Sequence, residues 1–170
     1  MGMIGYLIRV SNEDLKSFKA DSSKLEKLID NNESLHANWY LDLDKSWEAI
    51  HFLLTGKSMA ETEMNEEPRK IVENVIFSND FIDEEQDLGY GPAFYNDSVL
   101  VKKISFELNN LNVEELESKY DGNKLNEANI YPEIWNEEEA KPYLFDSLKD
   151  VIRFYSEAAH NDQVVIGFIS

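Results

Sequence analysis

A chain of 170 residues with 16 Lys plus Arg against 34 Asp plus Glu carries a formal charge of −18 at pH 7. That charge repels phosphate backbones and anionic lipid, so neither nucleic acid nor a membrane is an expected partner. There is no cysteine, which excludes disulfides, thiolate nucleophiles and cysteine-bound zinc, and hydrophobic residues at 42% with aromatics at 12% exclude a disordered composition.

The length suits one domain, 1–170, burying roughly 70% of the surface that its unfolded form exposes. Residues 3–10 (MIGYLIRV) form a short apolar run that reads as a buried strand. The opening segment has neither a basic start nor an apolar run of membrane length, so with no cysteine the expected compartment is the cytoplasm. Ser11 with Asp14, then Ser23 with Glu26, give two successive helix starts of the S-x-x-D/E type. Residues 35–43 alternate, with Leu35, Ala37, Trp39, Leu41 and Leu43 on one face and His36, Asn38, Tyr40 and Asp42 on the other, as in a half-buried strand.

The stretch LDLDKSWEAIHFLLTG, residues 41–56, sets two aspartates, a tryptophan and a histidine among aliphatic side chains. Asp44 stands where an N-cap belongs, Gly56 where a left-handed stop belongs, and Trp47, Ile50, His51 and Leu54 repeat at helical spacing. With Ala49, Phe52 and Leu53 between them, the helix is apolar nearly all round and is expected to be buried on most sides. Residues 57–67 read as a polar surface loop, Pro68 as the start of a short helix through Glu73, 75–77 as a brief strand, and 79–92 as an ordered loop. Asp97 caps a helix with the stripe Val101, Ile104, Ser105, Leu108 and Leu111, and Asn112 with Glu115 starts the next. Residues 130–135 (IYPEIW) form an apolar loop held by Pro132. From about Pro142 a long helix turns Leu144, Leu148, Val151, Ile152, Tyr155 and Ala159 inward, and 163–169 closes as an apolar strand central in the sheet. The expected fold is therefore α+β, with a small mixed sheet packed by several helices.

MGMIGY, LDLDKSWEAIHFLLTG, DLGYGPAFY and IYPEIW, in this order along almost the whole chain, resemble the YfbM-like family, a bacterial domain of unknown function. The resemblance implies a compact α+β domain and no particular activity. This chain has Phe94 where the family pattern usually reads arginine, and Ser98 where a proline often opens the next helix.

No catalytic residue, metal ligand set or cofactor motif is complete. Asp42, Asp44, His51 and His36 are the residue types of an oxygen and nitrogen metal site, but Asp44 and His51 lie seven residues apart, roughly 10 Å along a helix axis. A histidine on an apolar helix face is expected to be packed with a ring nitrogen satisfied. Asp42 has the chemistry to orient His51 or a water for proton transfer; its structural alternative is a bond to a nearby amide. Gly56-Lys57-Ser58 imitates a phosphate loop but follows a helix instead of preceding one. The acidic runs lack EF-hand spacing.

The candidate ligand-binding residues are Tyr90, Tyr95, Tyr131, Trp135, His51 and Asp42, with Gly89-Tyr90-Gly91-Pro92 allowing close approach. Two functions are consistent with this. The first is an acidic module, of immunity-protein or inhibitor type, that engages a basic protein. The second is a small-molecule-binding protein or enzyme with an aromatic pocket.

Overall fold

The computed structural model describes residues 2–30, 38–65 and 67–170. Among them the chain forms β1 (Gly5–Val10), α1 (Asn12–Ala20), α2 (Ser23–Ile29), β2 (Tyr40–Asp44), α3 (Trp47–Thr55) and α4 (Met59–Glu63). A 3-10 turn (Ile71–Asn74) follows, then β3 (Phe94–Asn96), α5 (Ser98–Asn109), α6 (Val113–Ser118), α7 (Gly122–Glu127), α8 (Ala140–His160) and β4 (Val164–Ile169). The α+β class is as expected. The sheet has the order β2-β1-β4-β3 and every neighbouring pair is antiparallel, not mixed, because β4 returns from the end of α8 against the direction of β1. β4 is an inner strand with all six residues buried.

Alternation along the strands divides the core. Leu7, Leu43, Phe94, Val165 and Ile169 face α3, α5, α7 and α8, where Trp47, Ile50, Val101, Ile104, Leu125, Leu144, Leu148 and Tyr155 complete the larger cluster. Ile8, Val10, Val164, Ile166 and Phe168 face the other way, against Phe18 of α1, Leu25 of α2, and Ile82 and Ala93 of the loop before β3. Among the described residues, no helix is long and apolar enough to cross a membrane.

Several local signals act as read. The hydroxyl of Ser11 and the carboxylate of Asp14 form a capping box, the side chains of Asp97 and Asn112 accept from Leu100 and Glu115 amides, and Gly56 ends α3 at φ 72.

Others do not. Residues 75–77 are not a strand: Val75 follows the 3-10 turn, its carbonyl accepts the Tyr155 hydroxyl at 2.7 Å, and the Asn74 carbonyl accepts Asn96 Nδ2 at 2.7 Å. A buried apolar run looks the same in sequence whether strands or distant side chains satisfy its backbone. The strand expected over 35–43 is Tyr40–Asp44, and residues 35–37, His36 included, lie outside the described residues. Asp44 does not cap α3. It sits at φ 45 with its carboxylate accepting the Tyr143 hydroxyl at 2.9 Å, and Ser46 occupies the cap position. Ser23 is the first residue of α2, not its cap; its amide bonds to Asp21 at 3.2 Å. The loop expected at 57–67 contains α4, opened by a Ser58–Glu61 capping box and burying Met59 and Thr62.

Candidate functional site

His51 is wholly buried on α3. Its Nε2 lies 2.8 Å from Thr62 Oγ1, and the Thr62 hydroxyl donates to the Ser58 carbonyl at 3.1 Å. With that hydroxyl proton committed, Thr62 accepts from Nε2–H, which assigns the tautomer and leaves Nδ1 as a buried acceptor with no hydrogen-bond partner among the described residues. Burial, then the charge of Arg69, pulls the imidazole down to about 4, with Lys57 adding and Glu73 opposing. The ring packs edge-on against Phe77, centroids 6.4 Å apart. It is a neutral brace between α3 and α4.

Asp42 is exposed on the edge strand, paired across from Tyr6, and its carboxylate accepts the Asp44 amide at 2.7 Å. Leu41 and Leu43 point from β2 toward the helices that include α3, so Asp42 projects from the opposite face to His51.

The other candidates are dispersed. Tyr131 stacks on Trp47 at 5.8 Å, and its hydroxyl accepts the Met3 amide at 3.0 Å. Trp135 is fully buried, with Nε1–H donating to the Ile130 carbonyl at 2.9 Å. Tyr95 lies on the loop-covered face of the sheet, where the Lys19 ammonium donates to its hydroxyl at 2.8 Å.

Tyr90 and Phe94 do converge, with residues that sequence did not single out. A hollow of about 400 Å³ is lined by Phe77, Phe81, Tyr90 and Phe94, with Ser78, Asn79, Pro92 and the Phe168–Ile169 end of β4, and Glu63 and Arg69 border it too. Four segments build it. Asp87 anchors the turn by accepting the amides of Gly89 and Gly91 at 2.9 and 3.1 Å, which holds the Asp87 carboxyl below its ordinary range. The Tyr90 amide bonds to the Ile169 carbonyl at the end of β4, at 3.3 Å. Phe81 bridges to Phe94 across the loop. Phe94 can lie over β4 because residue 167 is glycine: a Cβ there would stand 2.0 Å from the Phe94 ring.

Arg69 supplies the cationic edge. Its Nη1 donates to the Phe77 carbonyl at 3.1 Å, and among the described residues its guanidinium makes no ion pair, in a chain with 34 carboxylates. Burial lowers its pKa against the opposing charges of Glu63 and Glu73. Glu73 itself is committed: burial pushes its carboxyl up, but the Lys70 amide at 2.8 Å and Lys57 at 3.1 Å outweigh this and hold it down. A concave, mainly aromatic surface with a few converging polar groups, in the lower part of the typical range of about 300–1,000 Å³, has the form of a small-ligand site.

A wider depression of about 780 Å³ runs between α1, α2 and Trp39. Its arginine is already satisfied: Arg9 donates twice to the Asn38 carbonyl and pairs with Glu157 at 2.6 Å. Trp39, expected within the strand over 35–43, stands half-buried in a turn at the edge of this depression. Among the described residues, no three His, Asp or Glu side chains are grouped to hold a metal ion.

Residues 1–168 match the domain of unknown function DUF1877. Protein YfbM of Escherichia coli (strain K12) is 32% identical over 149 residues, 87% of this chain and 84% of that protein. The crystal structure of YfbM from Escherichia coli, described as a protein of unknown function, has the same fold, with a TM-score of 0.69 over 98% of this chain and 99% of that one at 20% identity. The chain belongs to the DUF1877 family.

Proposed function

We propose that this protein is a cytoplasmic small-molecule-binding protein whose site is the aromatic hollow between the Gly89–Gly91 turn, the end of β4, Glu63 and Arg69. The observation that carries the reading is the half-buried Arg69, which among the described residues makes no ion pair, beside a concave wall that includes Phe77, Phe81, Phe94 and Tyr90. A guanidinium in that setting is a preorganised donor for an anionic group, and the rings supply apolar area beside it. Of the six residues singled out from sequence, this reading retains Tyr90 and treats His51 as a brace behind Phe77.

A thermal-shift screen of metabolites against wild type and Arg69→Met tests it. At least one compound should raise the wild-type Tm by several degrees, and the shift should be lost in Arg69→Met. A screen without such a compound, or with shifts that survive the substitution, rejects the site.

A second reading has its own support, the charge of −18. An acidic module of immunity or inhibitor type would bind a basic protein through exposed carboxylates, with association falling steeply as salt rises. A low-salt pull-down that recovers a stoichiometric partner, released as ionic strength increases, is the expected result of that reading. Recovery of none rejects it.

A further inference from the structure

The hollow has one cationic and one anionic group on its margin, and this restricts what it takes. Arg69 and Glu63 both border it, Glu63 acts on the guanidinium electrostatically, and yet the two form no ion pair. Two opposite charges facing one hollow without closing on each other leave room for a ligand that answers both. The rest of the wall is mainly apolar, with Phe77, Phe81 and Phe94 joined by the polar residues Ser78 and Asn79, and Tyr90 is over half exposed at 54%. The field of the whole protein selects in the same direction. A simple anion must approach a surface of net charge −18, whereas a ligand with no net charge meets no such barrier. A simple cation would be attracted to that surface but would confront Arg69 inside the hollow.

We infer that the ligand of this hollow is a small zwitterion with an apolar body, the chemistry of an apolar α-amino acid, its carboxylate on Arg69, its ammonium on Glu63 and its side chain against the phenylalanines. The inference rests on the proposed function above and adds the ligand class. The carboxylate takes the guanidinium donors that Phe77 leaves over, in a charge-assisted and directional contact. Its side chain displaces water from the ring faces.

The test is isothermal titration with three probes of one skeleton: L-phenylalanine, 3-phenylpropionate, which lacks the ammonium, and 2-phenylethylamine, which lacks the carboxylate. L-leucine serves as a fourth probe with an aliphatic body. Wild type should bind at least one of the two amino acids, and each singly charged analogue at least ten-fold more weakly than L-phenylalanine or not at all. Arg69→Met should erase the preference over 2-phenylethylamine, and Glu63→Gln the preference over 3-phenylpropionate. Glu63 is exposed, so Glu63→Gln leaves the fold intact and keeps that arm readable. Equal binding of the three skeleton probes, or tighter binding of a singly charged one, overturns the inference. So does failure of both amino acids while a compound from the metabolite screen still gives an Arg69-dependent shift; in that case the site stands and only the ligand class falls. Failure of both amino acids with no Arg69-dependent compound removes the site as well.

Discussion

Gly122→Ala is expected to lower the unfolding free energy by about 3 kcal/mol or more, and to be the most damaging single-methyl addition in the chain. Gly122 opens α7, and a Cβ there would stand 1.9 Å from the Trp135 carbonyl oxygen, 2.4 Å from its carbon and 2.8 Å from the Asn136 nitrogen. These are backbone atoms, so no rotamer change relieves the overlap. Nor is Trp135 free to retreat. Its ring is fully buried and bonded to the Ile130 carbonyl, its amide donates to Asn126 Oδ1 at 3.1 Å, and its carbonyl accepts the Tyr120 hydroxyl. The overlap therefore pushes the IYPEIW loop off α7 and opens the core around it. In urea denaturation the midpoint should fall with little change in slope. A wild-type midpoint would show that the two segments are not locked as described.

The second large effect is on pH dependence. An ordinary histidine titrates near 6.5, whereas His51 in the fold is pulled down to about 4 by burial and by Arg69. Between these values the unfolded chain binds a proton that the folded one does not. Stability from this residue is therefore complete above about pH 6.5, falls as pH drops from there to about 4, and is constant below. The lost amount is about 3 kcal/mol by linkage. Carboxylates titrate in the same range, so the informative quantity is the difference between wild type and His51→Phe. At pH 7 the variant should be less stable by about 1–3 kcal/mol, because Thr62 loses its donor and the ring shape changes. That difference should shrink, and then reverse, as pH is lowered toward 4. A difference independent of pH would mean that the imidazole is solvated and titrates normally.

The two effects mark what could be read from the chain. Local chemistry was legible: the capping pair Ser11 and Asp14, the Asp97 and Asn112 caps, the Gly56 stop, and the inward stripe of α8 each act over one or two turns. The burial of Trp47 and His51 followed from the apolar surround of α3, so the scaffold role of that helix was foreseeable. The Ser58–Glu61 box is a visible signal for α4, obscured by the acidity of the residues around it.

Long-range pairing was not legible. Nothing local indicates that Tyr155 satisfies the carbonyl of Val75, 80 positions away, and so replaces a strand with a turn. The hollow lies at the extreme of that problem. Glu63 and Arg69, Phe77 and Phe81, Tyr90 and Phe94, and Phe168 come from four separated segments, and a lone arginine in P-R-K has no pattern that marks it as bordering a hollow. The tyrosines of the two aromatic blocks looked like one pocket because they share a residue type. The sheet and the 130–135 loop send Tyr95 and Tyr131 elsewhere.

Fluorine NMR of protein labelled with 4-fluorophenylalanine tests most directly whether the hollow is the binding site. The chain has nine phenylalanines, of which Phe77, Phe81 and Phe94 line the hollow, while Phe145 and Phe154 sit in the helical core. Titration with the compound that gives the largest wild-type thermal shift should move the resonances of those three and leave Phe145 and Phe154 in place. Resonances that move only in the helical core, with the three unchanged, would contradict the account.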